Sequence, residues 1–261
     1  GTIQASSSRS VSLTGSDDGQ YNHDLYMNYV DQLEKSKNNK AILLYVNSPG
    51  GTVYESDELY LKLMEYKEKT KRPVYAYFGS QACSGAYYIS MAADKIYTNR
   101  NTWTGSIGVI VSLTNYKKLY DKLGIKEIDI TSGKNKSMGS GGLDLTGEQR
   151  DILQSLVDEA YDQFAGIVSE GRGLDINTVK KIADGRIYSA KQAKEKGLVD
   201  EIGSEDELKA LIRKENKLGK DVVYDVAKSS GSDFLSGLMG SVQKIMPKSD
   251  SELAVDIVEN K

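Results

Sequence analysis

Apolar positions along the chain switch between two periods. Tyr26, Tyr29, Val30 and Leu33 recur at helical spacing, whereas residues 41–46 form an unbroken apolar run. Such a run marks a strand buried on both faces. Leu59, Leu63 and Tyr66 predict a second amphipathic helix, residues 73–78 a second strand, and residues 86–91 a helix of small and apolar side chains. Residues 95–98, 107–113 and 125–130 read as further strands, with a helix around 116–123. Strands alternating with helices argue for βαβ units and a largely parallel sheet, an α/β fold. From Thr146 the pattern turns helical. Thr146 and Gln149 have capping-box spacing, and Ile152, Leu153, Leu156, Val157, Ala160, Phe164, Ile167 and Val168 form one apolar stripe. Shorter helices are predicted at 176–183, 190–196 and 205–213, with Ser189 as an N-cap and Gly197 just past a C-terminus.

Two stretches lack this periodicity. Residues 5–21 are rich in Ser, Gly and Asp and read as a loop. Beyond Asn216 the chain is rich in Lys, Ser and Gly, apart from one apolar cluster (Phe234, Leu235, Leu238, Met239, Val242, Ile245, Met246) that could form a short amphipathic helix. The expected division is therefore a domain at 1–216 and a C-terminal tail at 217–261.

Composition narrows the chemistry by what it lacks. A net charge of -3 gives no basic footprint for nucleic acid. No stretch approaches the ~20 apolar residues of a membrane helix. The single cysteine, Cys83, allows neither an internal disulfide nor a multi-cysteine zinc site, and no metal or cofactor is expected. The single histidine, His23, lies far along the chain from every glycine-rich motif, so a Ser-His-Asp triad has no obvious base.

Two turns remain where a reaction could sit, each following an apolar strand and leading into a helix. Residues 47–51 (Asn-Ser-Pro-Gly-Gly) let backbone approach a ligand, and their N–H groups could cradle an oxyanion. A purely structural Pro-Gly-Gly turn is the alternative. Ser84, between Cys83 and Gly85 at the start of a helix, resembles the nucleophile elbow of hydrolases, although its spacing differs from Gly-x-Ser-x-Gly. A serine that merely caps the helix explains the same segment. Cys83 could itself be a nucleophile, but a lone cysteine among small residues is ordinarily packing. A lysine could replace histidine as base if its pKa fell from about 10.4 toward 7–8. Spacing does not choose among the lysines.

Motif order does. Asn47 to Gly51, Cys83 to Tyr88, Ala93 to Tyr97, Thr104 to Val109, Ala183 to Tyr188 and Gly197 to Gly203 resemble, in sequence and order, the signal peptide peptidase A (protease IV) family. The similarity runs over roughly residues 38 to 205. It implies the Clp protease/crotonase fold and a Ser/Lys dyad: Ser84 as nucleophile, Lys136 as base, Ser106 as the hydroxyl that orients the lysine, and the N–H groups of Gly51 and Gly85 as oxyanion hole. Lys134 is the neighbouring lysine that could be mistaken for the base. The resemblance further implies remnant signal peptides as substrates, an extracytoplasmic active site and an upstream membrane anchor. It also implies a ring-shaped homo-oligomer, an octamer, in which the lysine of one subunit serves the serine of the next. A true Clp-type protease would need a histidine about twenty-five residues after the serine, and none is there. A crotonase-like acyl-CoA enzyme and a catalytically dead peptide-binding scaffold are the competing classes. Residues 254–258 alternate apolar and acidic positions, so the chain's own C-terminus is a candidate ligand for the groove; a solvated tail is the alternative.

Overall fold

The computed structural model describes residues 1–5, 21–227 and 254–259. Its chain forms two compact units, Gly1–Ile107 with Ala165–Lys261, and Gly108–Phe164.

The first unit is built on the expected alternation. Helix α1 (His23–Lys35) buries Tyr26, Val30 and Leu33, and strand β1 (Asn39–Ser48) carries the apolar run. Helix α2 (Val53–Thr70) buries Leu59, Leu63 and Tyr66, and β2 (Val74–Cys83) follows. Helix α3 (Gly85–Ser90), β3 (Lys95–Thr98) and β4 (Trp103–Gly105) complete the N-terminal half. β1 and β2 pair in parallel from Ile42↔Val74 to Ser48↔Ala82, with an irregularity between Val46 and Ser48. The far side of β2 is shared, also in parallel: Tyr75–Phe78 pair with β3, and Gln81–Cys83 with β4. Because β1 and β2 lie inside the sheet, Ile42, Leu43, Leu44, Val74, Ala76 and Phe78 are all essentially inaccessible to water. β2 continues to Cys83, five residues beyond the end of the strand expected at 73–78, and Ser84 follows directly.

After the second unit the chain returns through the end of the long helix α5 (Gly147–Arg172), α6 (Ile176–Ile182), β5 (Ile187–Ser189), α7 (Ala190–Glu195), β6 (Glu201–Ile202) and α8 (Glu205–Glu215). Ser189 and Ser204 both close capping boxes, with Gln192 and Glu207. β5 pairs antiparallel with β4, placing Ile187 opposite Gly105. Two strands from the tail join the sheet: β7 (Val222–Val226) pairs with β8 (Ala254–Glu259), which pairs antiparallel with β1. In this structure the C-terminal segment is thus a member of the sheet. The apolar cluster at 234–246 and nearly all of the loop at 5–21 lie outside the described residues.

The second unit departs from the expected pattern. Helix α4 (Lys117–Leu123) forms, and Thr146 caps α5 through reciprocal bonds with Gln149. The strands expected at 107–113 and 125–130 do not. Their residues suit strands, but among the described residues their backbone groups find no neighbouring strand to bond. Ile110 is 84% exposed, Ile128 80% and Ile130 100%. The α5 stripe behaves likewise: Phe164, Ala165 and Val168 are buried, whereas Leu156, earlier on the helix, is more than half exposed.

Candidate active site

The turn after β1 and the turn after β2 pack directly against each other. Gly50 has φ +104°, and a Cβ there would lie 2.7 Å from both the Cys83 carbonyl oxygen and Ser84 Cβ. A Cβ on Gly85 would come within 2.3 Å of Ser56 Oγ and 3.2 Å of the Gly51 nitrogen. Neither position accepts a side chain, and the consequence is close approach of three backbone segments around Ser84.

Backbone bonds at this meeting point leave two donors over. The Gly50 N–H donates to Ser48 Oγ (3.1 Å) and the Thr52 N–H to the Ile3 carbonyl (2.9 Å), while Pro49 has no N–H. The Ser84 N–H donates to the Gly105 carbonyl at 2.9 Å. Among the described residues the N–H groups of Gly51 and Gly85 have no partner. Gly85 is buried and Gly51 exposed; two adjacent N–H groups without a protein partner, beside a serine, match what a developing oxyanion requires.

Ser84 itself has φ +52° and ψ -123°, a conformation that a non-glycine residue rarely adopts. It stands at the N-cap position of α3, yet its side chain makes no capping bond. The capping alternative is thereby disfavoured: the hydroxyl is half-buried and uncommitted. Ser106, at the end of the neighbouring strand, shares the positive φ (+49°) and anchors its N–H on the Arg186 carbonyl at 2.8 Å. Its hydroxyl also has no partner among the described residues. Ser84, Ser106, Gly51 and Gly85 are therefore brought together by the ends of β1, β2 and β4.

Lys136 belongs to the second unit, in a turn where its N–H bonds the Gly133 carbonyl at 3.0 Å. It lines a shallow cavity of about 530 Å³ with Ile128, Ile130, Thr131 and Met138. Its ammonium is exposed and makes no ion pair or hydrogen bond among the described residues. Lys134 differs: its ammonium bonds Glu148 Oε2 at 2.7 Å. That bond, with a second from Asn135, holds the Glu148 carboxyl below its ordinary pKa. The Lys134–Glu148 pair is solvent-exposed, and Lys136 has no such partner among the described residues.

The remaining nucleophile and base candidates are occupied. His23 is buried, with one ring nitrogen 2.7 Å from the Tyr21 hydroxyl and the other 3.0 Å from Glu58 Oε2, which ties α1 to α2. Cys83 is 5% exposed, and burial pushes its thiol pKa up, away from the reactive thiolate. Cys83→Ser is expected to leave kcat/KM within about twofold. The native thiol is expected to alkylate at least about tenfold more slowly than the unfolded chain, as timed by mass spectrometry with iodoacetamide at pH 8.

Comparison with known proteins identifies the family. The model of peptidase family S49 matches residues 66–219, more than half of the chain. The chain belongs to peptidase family S49. Relatives carry the family's names: a protein named signal peptide peptidase SppA in Enterococcus faecium is 43% identical over 85% of this chain. A protein named as a protease in Methanocaldococcus jannaschii is 42% identical over 82%, and protease 4 of Haemophilus influenzae 38% over 64%. This S49 chain spans 64%, 69% and 27% of those relatives' own lengths. The Clp protease model matches residues 3–104, the segment containing both glycine turns and Ser84, so the fold is Clp protease-like. A ClpP1 mutant from Listeria monocytogenes superposes with a TM-score of 0.47 at 18% identity, covering 71% of this chain and 86% of its own.

Ser48, Ser56 and Ile3 were not legible as contributors to the site. Nothing in sequence spacing marks a hydroxyl that bonds two residues on, or a strand end that pairs across forty-eight positions with Gly51.

Proposed function

We propose that this protein is a serine endopeptidase that hydrolyses peptides through an acyl-enzyme on Ser84, with Lys136 as general base. The observation that carries the reading is the pair of free N–H groups, Gly51 and Gly85, beside an uncommitted serine hydroxyl. Ser84 Oγ attacks the peptide carbonyl carbon and passes its proton to neutral Lys136. The carbonyl oxygen takes up charge facing the two N–H groups, and collapse releases the amine, which receives the proton. Water then repeats the sequence on the ester, with Lys136 again taking the proton. Ser106, free at its hydroxyl, holds the lysine nitrogen toward Ser84.

The name signal peptide peptidase carried by the Enterococcus relative supports the substrate class, and the setting is proposed from the family resemblance. Remnant signal peptides and other unfolded peptides are the proposed substrates, cleaved at the membrane on its extracytoplasmic side. No helix among the described residues is long and apolar enough to cross a membrane.

Assembly is the second element. Ile110, Ile128, Ile130, Leu123 and Leu156 of the second unit are each more than half exposed. An apolar surface of this kind marks an interface, and a second copy supplies strands for the two segments that lack them. The proposed assembly is a ring-shaped homo-oligomer, an octamer, with each active site shared between neighbours.

Labelling tests the nucleophile. A fluorophosphonate should add one adduct per chain, mapping to Ser84 in peptide mass spectra, and a peptide aldehyde should protect against it. Turnover of peptide by fully active enzyme that never labels at Ser84 would defeat the reading.

A further inference from the structure

The oxyanion turn is held by a set of contacts that the dyad chemistry does not include. Ser48, the last residue of β1, is 1% exposed, and its Oγ accepts the Gly50 N–H at 3.1 Å. On the other side of the turn the Ile3 N–H donates to the Gly50 carbonyl at 2.8 Å, and the Ile3 carbonyl accepts the Thr52 N–H at 2.9 Å. Ser56 Oγ donates to the Thr52 carbonyl at 2.7 Å and fills the space that a side chain on Gly85 would need. The peptide groups on both sides of Gly51 are therefore held, and the Gly51 N–H is the donor left over, its nitrogen 3.2 Å from where a Cβ on Gly85 would stand.

We infer that Ser48 is a positioning residue of the oxyanion hole: its hydroxyl satisfies the Gly50 N–H and thereby fixes the direction of the Gly51 N–H. The inference rests on the peptidase reading above and adds a residue to it. Without the Ser48 hydroxyl the Gly50 N–H is buried and unpaired, and the turn gains by rotating to find another acceptor. Ser48 Oγ also donates to the Gly50 carbonyl at 3.5 Å, the other end of the peptide that carries the Gly51 N–H, so loss of the hydroxyl loosens that peptide as well and leaves only Ile3 to hold it. A donor must lie within about 2.7–3.1 Å of the oxygen's transition-state position to stabilise it, so a small rotation costs rate. Substrate binding before reaction does not use this donor fully, which separates the effect from general damage.

The experiment compares wild type with Ser48→Ala, Ser48→Thr and Ser48→Cys on a fluorogenic peptide, well below each variant's unfolding temperature. Removing one oxyanion donor outright costs about a hundredfold or more in rate, so a misdirected one in Ser48→Ala should lower kcat by about tenfold to a hundredfold with KM changed less than about twofold. A peptide aldehyde, whose adduct on Ser84 carries the oxyanion, should bind more weakly by a similar factor. Ser48→Thr keeps the hydroxyl and should restore kcat. Ser48→Cys keeps the shape with a poorer acceptor and should fall between, which carries the test if Ser48→Ala does not fold. A wild-type kcat in Ser48→Ala or Ser48→Cys overturns the inference, as does a Ser48→Thr variant as slow as Ser48→Ala. A rise in KM with kcat unchanged overturns it too. These outcomes leave the peptidase reading intact; wild-type protein that turns over no peptide would remove both.

Discussion

Ser84→Ala is expected to lower peptide hydrolysis at least about a thousandfold while the protein stays folded, an increase of about 4 kcal/mol in the barrier. The two halves of this expectation have separate origins. Catalysis through an acyl-enzyme has no path without the Oγ, and residual turnover would come only from water attacking a carbonyl polarised by Gly51 and Gly85. Stability is spared because the hydroxyl makes no capping bond on α3. A serine used as an N-cap would contribute about 1 kcal/mol, and this one contributes less. The strained backbone (φ +52°) is as accessible to Ala as to Ser, so the substitution brings no new conformational cost. Kinetic assay of purified variant beside its thermal unfolding curve checks both. Substantial turnover by the variant, in protein free of wild type, would mean that another group attacks the peptide.

What the sequence revealed, and what it hid, divides along the two units. In the first, apolar runs and helical stripes predicted β1, β2, α1, α2 and the helices after Arg172, because each buries its apolar face within the same chain. The pattern at 107–113 and 125–130 is equally strand-like, yet periodicity reports what a segment is suited to, not whether a neighbour exists to bond it. The glycine turns were visible from composition, but the free N–H groups depend on Ile3 and Gly105, which approach from distant parts of the chain. Ser84 stood out locally without being separable from a cap, and only the folded chain shows that its side chain makes no capping bond. For the base, family resemblance alone singled out Lys136, because a lysine's chain position carries no mark of its surroundings; Lys134 beside it bonds Glu148 at the surface. The C-terminal segment, read as a strand with a groove for a destination, is in this structure a strand beside β1.

Mixed oligomers of Ser84→Ala and Lys136→Ala subunits are expected to recover activity that neither variant has alone. Ser84 lies in the first unit and Lys136 in the second, which carries the exposed apolar segments proposed to meet a second copy. If the lysine of one chain serves the serine of its neighbour, an interface with Ser84→Ala supplying Lys136 and Lys136→Ala supplying Ser84 is complete. Random mixing at equal amounts makes about one interface in four complete, so about a quarter of wild-type activity should return, since a pair acting as a unit is lost with either member. Dissociation in mild denaturant, mixing, and reassembly followed by size-exclusion chromatography provide the sample. Lys134→Ala is the control: its lysine is engaged with Glu148, and the variant should keep nearly full activity on its own. Mixed oligomers that form and stay inactive would place both members of each site in one chain. Loss of activity in Lys134→Ala, with Lys136→Ala unaffected, would move the base two residues along the same turn.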